Sequence, residues 1–196
     1  MYLFLYAISE ENLKGAIYMA ELWVSFDIDD SMSLNQLEYY QTLMKQKTNA
    51  DWKDKNDFHV TIDYVGEDES GAEQVVQAMK ILERNLDESM FNQYLFGNKI
   101  NHFGNTLWIG VDNSFKLYRI HYALEEIFKM IGYQKPESKF DGYTPHITMA
   151  SNADNIELDI QMKKVPIPFT NITLWNSFKV NGQYVDNFLY RIDLIK

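Results

Sequence analysis

The chain of 196 residues contains no cysteine. A disulfide framework and a thiolate zinc site are therefore excluded, and the cytoplasm is the expected compartment (the host cytoplasm for a viral protein). No apolar run approaches the roughly 20 residues that a membrane-spanning helix needs. The opening MYLFLYAI has no basic leader and is soon followed by Glu10 and Glu11. It is a poor signal peptide and a good first strand. Positive charge is scarce as well, with 18 Lys and Arg against 28 Asp and Glu, a net charge of −10. Tight binding to long nucleic acid rests on many cationic contacts to phosphates. The expected ligand is therefore small and held by a few directed contacts. No glycine-rich phosphate loop and no long linker interrupts the chain. Its length suits a single domain spanning 1–196, and an apolar content of 46% is ample for a core.

What the chain does have is a repeated pattern. Phe58-His59-Val60-Thr61-Ile62-Asp63-Tyr64 is echoed by Thr144-Pro145-His146-Ile147-Thr148-Met149-Ala150. Each copy reads as a short strand, on which side chains alternate between faces. His59 and Thr61 then share one face, and Val60 and Ile62 the other. His146 and Thr148 repeat this, with Ile147 and Met149 opposite. A lone His-x-Thr is most simply the polar face of an edge strand. Two copies among four histidines make a cleft between paired strands the better reading.

The remaining pattern mixes helices with antiparallel-type strands. Residues 2–8 read as a buried strand, and Ser9 can cap a short helix from Glu10. Residues 22–28 form a strand with Trp23, Ser25 and Asp27 on one face. Ser33 is the expected cap of a helix over 34–47, and 48–57 is a loop. An amphipathic helix is expected over 72–86. Strands over 91–100 and 106–111 flank a turn at 101–105. Ser114 caps the longest helix, 115–131, which Gly132 ends. A loop over 136–142 leads into the second motif. Strands follow over 165–170, 172–180 and 187–194, the last two joined by an Asn181-Gly182 turn. The acidic Glu67-Asp68-Glu69 run reads as a solvated loop.

Two imidazoles and two hydroxyls around one pocket are a reagent set for phosphodiester chemistry without a metal. A neutral His takes a proton from the attacking hydroxyl, and a protonated one gives a proton to the leaving oxygen. Such transfers contribute about 100- to 10,000-fold. The Thr hydroxyls can donate to non-bridging phosphate oxygens, where charge builds in the transition state. His102, in the turn, and His121, on a helix, read as surface and packing residues. A nucleotide base also needs a stacking platform. Tyr143, Trp108, Phe140 and Tyr64 lie near the motifs in sequence and are the candidate substrate contacts.

The paired motifs resemble those of the 2H phosphoesterase superfamily, the LigT-like phosphodiesterases. Leu107-Trp108-Ile109-Gly110-Val111 resembles the strand before that family's long second-half helix, and Thr144-Pro145-His146 its frequent approach to the second motif. The resemblance implies an α+β fold of two pseudo-symmetric lobes, with two antiparallel-rich sheets facing a central cleft and helices outside. It implies His59, Thr61, His146 and Thr148 as the catalytic quartet, with neither metal nor cofactor. The leading expectation, from the paired motifs and the acidity, is a phosphodiesterase for a cyclic nucleotide or cyclic oligonucleotide messenger. Leu22 to Asp27 and the helix before Asp57-Phe58-His59-Val60-Thr61 resemble the phage anti-CBASS nucleases as much as the bacterial RNA ligase-like branch, whose opening strand Leu3-Phe4-Leu5-Tyr6-Ala7-Ile8 resembles. The alternatives are a 2′,3′-cyclic phosphodiesterase that processes RNA ends, and a non-catalytic nucleotide sponge.

Overall fold

The computed structural model describes residues 20–66, 71–112, 115–135, 142–180 and 183–195. The expected strand at 2–8, the helix from Glu10, the acidic run at 67–69, the Ser114 cap and the Asn181-Gly182 turn lie outside these residues. Nine strands and three α-helices alternate along the described chain. The strands are β1 (Ala20–Asp27), β2 (Asp51–Trp52), β3 (His59–Gly66), β4 (Gln93–Phe103), β5 (Thr106–Asp112), β6 (His146–Ser151), β7 (Val165–Phe169), β8 (Asn171–Val180) and β9 (Gln183–Asp193). The helices are α1 (Ser31–Lys45), α2 (Ala72–Arg84) and α3 (Phe115–Ile131). No described helix is long and apolar enough to cross a membrane.

The strands lie in the order β7-β4-β5-β6-β3-β1-β8-β9, with β2 paired to β6. Two separate sheets were the expectation. The structure instead joins the two halves through an antiparallel β3–β6 ladder whose registered pair is Val60↔Ile147. Each motif strand thus stands at the inner edge of its half, and the two motifs meet. Each also ends a strand–helix–strand succession, β1-α1-β3, with the two-residue β2 between α1 and β3, and β5-α3-β6. In both, the first strand pairs with the last.

The period-two reading holds at both motifs. Val60, Ile62, Ile147 and Met149 are completely buried, while His59, Thr61, His146 and Thr148 are half-buried. Across the four central strands, Phe26↔Val60, Val60↔Ile147 and Ile109↔Ile147 form one continuous buried row. Burying each such side chain stabilises the fold by about 1.5–3 kcal/mol. On α1 the buried face is Leu37, Tyr40, Gln41 and Met44, and on α3 it is Leu117, Ile120, Leu124, Ile127 and Phe128.

Local chemistry moved several boundaries. Asp30, not Ser33, caps α1, because its carboxylate accepts the Ser33 amide at 2.7 Å and suits the positive end of the helix dipole. The Ser33 hydroxyl is shared between Asp30 and the Pro166 carbonyl of β7, which fastens α1 to the far half of the sheet. The β4–β5 turn is only Gly104-Asn105, since Phe103 pairs with Thr106. Gly104 takes φ +53° there, a left-handed conformation that glycine adopts without strain. His102 therefore sits on a strand end and not in the turn. Gly132, at φ +73°, ends α3 as expected.

Ile147 carries the joint between the halves. Ile147→Ala is expected to cost about 2–5 kcal/mol, read as a lower urea midpoint at unchanged slope. A loss below about 1 kcal/mol would contradict this role.

Candidate active site

Both motif histidines are held in the same way. His59 Nδ1 lies 2.8 Å from the carbonyl oxygen of Asp57, and His146 Nδ1 lies 2.7 Å from that of Thr144. A carbonyl only accepts, so Nδ1 carries the hydrogen in both rings and Nε2 carries the lone pair of the neutral form. Protonation and deprotonation then occur at Nε2 alone, with the ring orientation unchanged. The chain sets up each carbonyl locally. Asp57 closes a 3₁₀ turn over Lys55–Asp57, capped by Asp54 through the Asn56 amide at 2.9 Å. Thr144 precedes Pro145, which disfavours a helical conformation there, and the Pro145 carbonyl accepts from the Val111 amide at 3.2 Å. Burial pulls both imidazoles below their ordinary pKa, with the carbonyl bonds working against that pull.

The antiparallel register fixes the quartet. The registered pair Val60↔Ile147 lies between His59 and Thr61 on β3 and between His146 and Thr148 on β6. All four are on the face away from the buried row. The motif residues are thus brought together around one point of the sheet.

Each histidine also has an aromatic pair beside it. Trp23 lies 4.7 Å from His59, and Trp175 is stacked 5.9 Å beyond Trp23. Phe103 and Trp108 lie 5.2 and 5.6 Å from His146 and 4.7 Å from each other. Trp108 was an expected substrate contact and stands beside the site. Trp23, Trp175 and Phe103 were not among those expected. Trp23 could have been found from its shared face with Ser25 and Asp27, had the β1–β3 pairing been known. Trp175 and Phe103 come from strands remote in sequence.

Tyr64 reaches the quartet's face through an irregularity. The β1–β3 register shifts between Val24 and Ser25, so that Val24 pairs with Asp63 and Trp23 with Tyr64. The extra residue reverses the alternation. Asp63 turns to the helix side, and Tyr64 joins Trp23 on the open side. Tyr143 does not serve as a stacking platform. Its hydroxyl donates to the Thr61 carbonyl at 3.1 Å, and its ring stacks on His121 at 4.6 Å. It braces the first motif from behind, and burial raises its pKa. Phe140 lies outside the described residues.

Among the described residues, Asp63, His121 and Glu125 have ligating atoms within 4.8 Å of one another. The Lys135 ammonium pairs with both carboxylates, so a lysine supplies the cation at this point. His121 donates from Nδ1 to the Ile62 carbonyl at 3.0 Å, which fits its expected packing role. Burial pushes the Asp63 carboxyl from 3.8 up to about 7, against the pull of Lys135.

A curled antiparallel sheet with paired His-x-Thr strands at its centre defines the class of two-histidine, or 2H, phosphoesterases. The family model of the 2′-5′ RNA ligase superfamily matches residues 58–177, more than half of the chain, and the chain belongs to that superfamily. It is a phosphodiesterase of the 2H class. Over 129 residues it is 23% identical to an RNA 2′,3′-cyclic phosphodiesterase of Thermotoga maritima, covering 65% of this chain and 67% of that one. Its fold is similar to that of Escherichia coli LigT in apo form, with a TM-score of 0.65 at 16% identity, covering 90% of this chain and 98% of the other. Crystal structures of LigT with 3′-AMP and with ATP match with TM-scores of 0.64 and 0.66, each at 16% identity and covering 89–90% of this chain and 96–98% of the other.

A carboxyl whose native pKa exceeds its unfolded value stabilises the fold fully below the unfolded value, and loses that contribution as pH rises to the native one. Asp63→Asn mimics the protonated form and removes this dependence. The stability of the wild type relative to Asp63→Asn is expected to fall as pH is raised from about 4 to about 7, measured by urea unfolding. A flat or rising difference would contradict it.

Proposed function

We propose that the protein is a metal-independent phosphodiesterase for a small cyclic nucleotide or cyclic oligonucleotide. The observation that carries this reading is the matched pair of imidazoles, each with Nε2 left open by a carbonyl at Nδ1, on motif strands that pair at Val60↔Ile147 and carry a Thr on the same face as each His. One neutral imidazole takes the proton from the ribose 2′-hydroxyl. O2′ then bonds to phosphorus as the P–O5′ bond breaks. The second imidazole, protonated at Nε2, passes that proton to O5′. The product is a 2′,3′-cyclic phosphate. On a 2′,3′-cyclic substrate the same groups direct water to phosphorus instead. Thr61 and Thr148 donate to the non-bridging oxygens as charge builds there.

The substrate class follows from the flanks. Trp23 and Trp175 lie on one side of the histidine pair, and Phe103 and Trp108 on the other. Two platforms suit a phosphate with a base on either side, as in a cyclic di- or trinucleotide. The net charge of −10 disfavours a long polyanion. LigT has been crystallised with 3′-AMP, ATP and NADP+, which supports a small nucleotide ligand here. In this reading residues 1–196 act as one domain of two pseudo-symmetric lobes in the cytoplasm. Removal of a cyclic messenger would blunt immunity that signals through it, the role of the anti-CBASS nucleases. A second reading, cleavage of 2′,3′-cyclic phosphate at RNA ends, is favoured by the Thermotoga relative.

The test is turnover in EDTA of 2′,3′-cyclic mononucleotides, cyclic dinucleotides, cyclic trinucleotides and an RNA oligomer ending in a 2′,3′-cyclic phosphate. Turnover of a cyclic oligonucleotide is expected, with His59→Ala and His146→Ala each losing about 100- to 10,000-fold. Trp175→Ala is expected to raise KM for that substrate by about 5- to 150-fold, the loss of one stacked base. Turnover of the RNA end alone selects the second reading. Activity that survives both histidine substitutions together overturns both readings.

A further inference from the structure

The two halves of the site match in topology and differ in charge. The residue registered outside His59 on the neighbouring strand is Asp27, and the one registered outside His146 is Gly110. The spot for a side chain at Gly110 is already closed, since a Cβ there would lie 3.2 Å from the Trp108 ring and 3.3 Å from Asn98 Oδ1. A carboxylate stands beside one imidazole and none stands in the matching place beside the other.

We infer that Asp27 is a positioning residue that holds the proton on His59, which makes His59 the general acid and leaves His146 as the general base. Asp27 is itself fixed. Its Oδ1 accepts from the Ser25 hydroxyl and from Trp175 Nε1 at 3.2 Å, and its backbone is clasped by Asn171, with bonds of 3.0 and 2.8 Å. Its Oδ2 is buried without a hydrogen-bond partner among the described residues. A buried carboxylate oxygen left so is costly, and a cationic imidazole on His59, registered opposite Asp27 on β3, offsets that cost. Burial is the largest influence on His59 and lowers its pKa, as it does at His146. Among the charged groups, Asp27 from β1 and Asp186 from β9 favour the His59 imidazolium, and Lys53, from the chain after β2, opposes it. Asp186 reaches the region through Ser177, whose hydroxyl donates to it and accepts from Trp23 Nε1 at 2.7 Å. At His146 burial and the Thr144 carbonyl are the influences, with no carboxylate among them. The roles follow from this asymmetry. The ring with anionic neighbours keeps its proton for the leaving oxygen, and the ring without them accepts the proton of the nucleophile.

The roles rest on the acid–base reading proposed above, whereas the titrations that test them need no turnover. The imidazole signals of His59 and His146, assigned with His59→Gln and His146→Gln, are followed by NMR against pH in the wild type, Asp27→Asn and Asp186→Asn. As pH rises in the wild type, His146 is expected to lose its proton before His59. In Asp27→Asn the His59 midpoint is expected to move to lower pH with that of His146 unchanged. Asp186→Asn lies on an exposed strand, and it is expected to move His59 in the same direction by less, which keeps the test open if Asp27→Asn does not fold. His59 losing its proton first, or equal movement of both rings in the variants, or no movement of His59 in either variant, would overturn the inference. A protein that titrates as expected yet turns over no phosphodiester would overturn the function and leave the electrostatic assignment standing.

Discussion

The hydrogen bonds from His59 Nδ1 to Asp57 and from His146 Nδ1 to Thr144 are the interactions on which the rest of the site depends. Without them either ring could take the other tautomer or turn its lone pair away from the cleft. With them each ring exposes a single nitrogen, Nε2, which accepts when neutral and donates when protonated. The bonds are local, each spanning two residues, so they form as soon as the strand and the segment before it are in place. What the fold adds is the meeting of the two strands, through the antiparallel pair Val60↔Ile147 at the middle of both motifs.

Side chains from distant elements hold that meeting in place. Gln41 of α1 donates to the carbonyls of Lys53 and Met149 at 2.8 and 3.1 Å, which ties the helix to the second motif strand. Tyr143, just before the second motif, reaches back to the Thr61 carbonyl of the first. Tyr118 of α3 in turn holds the Tyr143 carbonyl at 2.8 Å. A buried polar group left without such a bond costs about 1–3 kcal/mol, and the Gln41–Met149 and Tyr143–Thr61 bonds cross from one half of the molecule to the other motif. The Asp63–Lys135–Glu125 cluster is a further device of this kind, lodged behind the first motif by the register shift at Val24 and Ser25.

The quartet was legible in the sequence because its information is local. Strand alternation alone puts His59 with Thr61 and His146 with Thr148, and burial of Val60, Ile62, Ile147 and Met149 follows the same rule. The helices were legible for a similar reason, since their apolar stripes repeat at helical spacing. Residues set by pairing were not legible. Phe103 approaches His146, and Trp175 stacks on Trp23 beside His59, across strands far apart in the chain, and no periodicity reports that. Tyr64 reaches the open face through one extra residue, which a regular strand would not supply. Tyr143 was read as a platform from its closeness in sequence to His146, yet its hydroxyl is taken by a backbone carbonyl. The cap of α1 went to Asp30 because a carboxylate three residues before an amide outcompetes a hydroxyl placed further along.

The most direct test of the site is a long-range ¹H–¹⁵N correlation spectrum of its imidazoles above their titration range, recorded with and without inorganic phosphate. His59 and His146 are both expected as the Nδ1-protonated tautomer, with phosphate shifting the Nε2 resonance of each. A tautomer protonated at Nε2 in either ring, or a phosphate response confined to one ring, would contradict this.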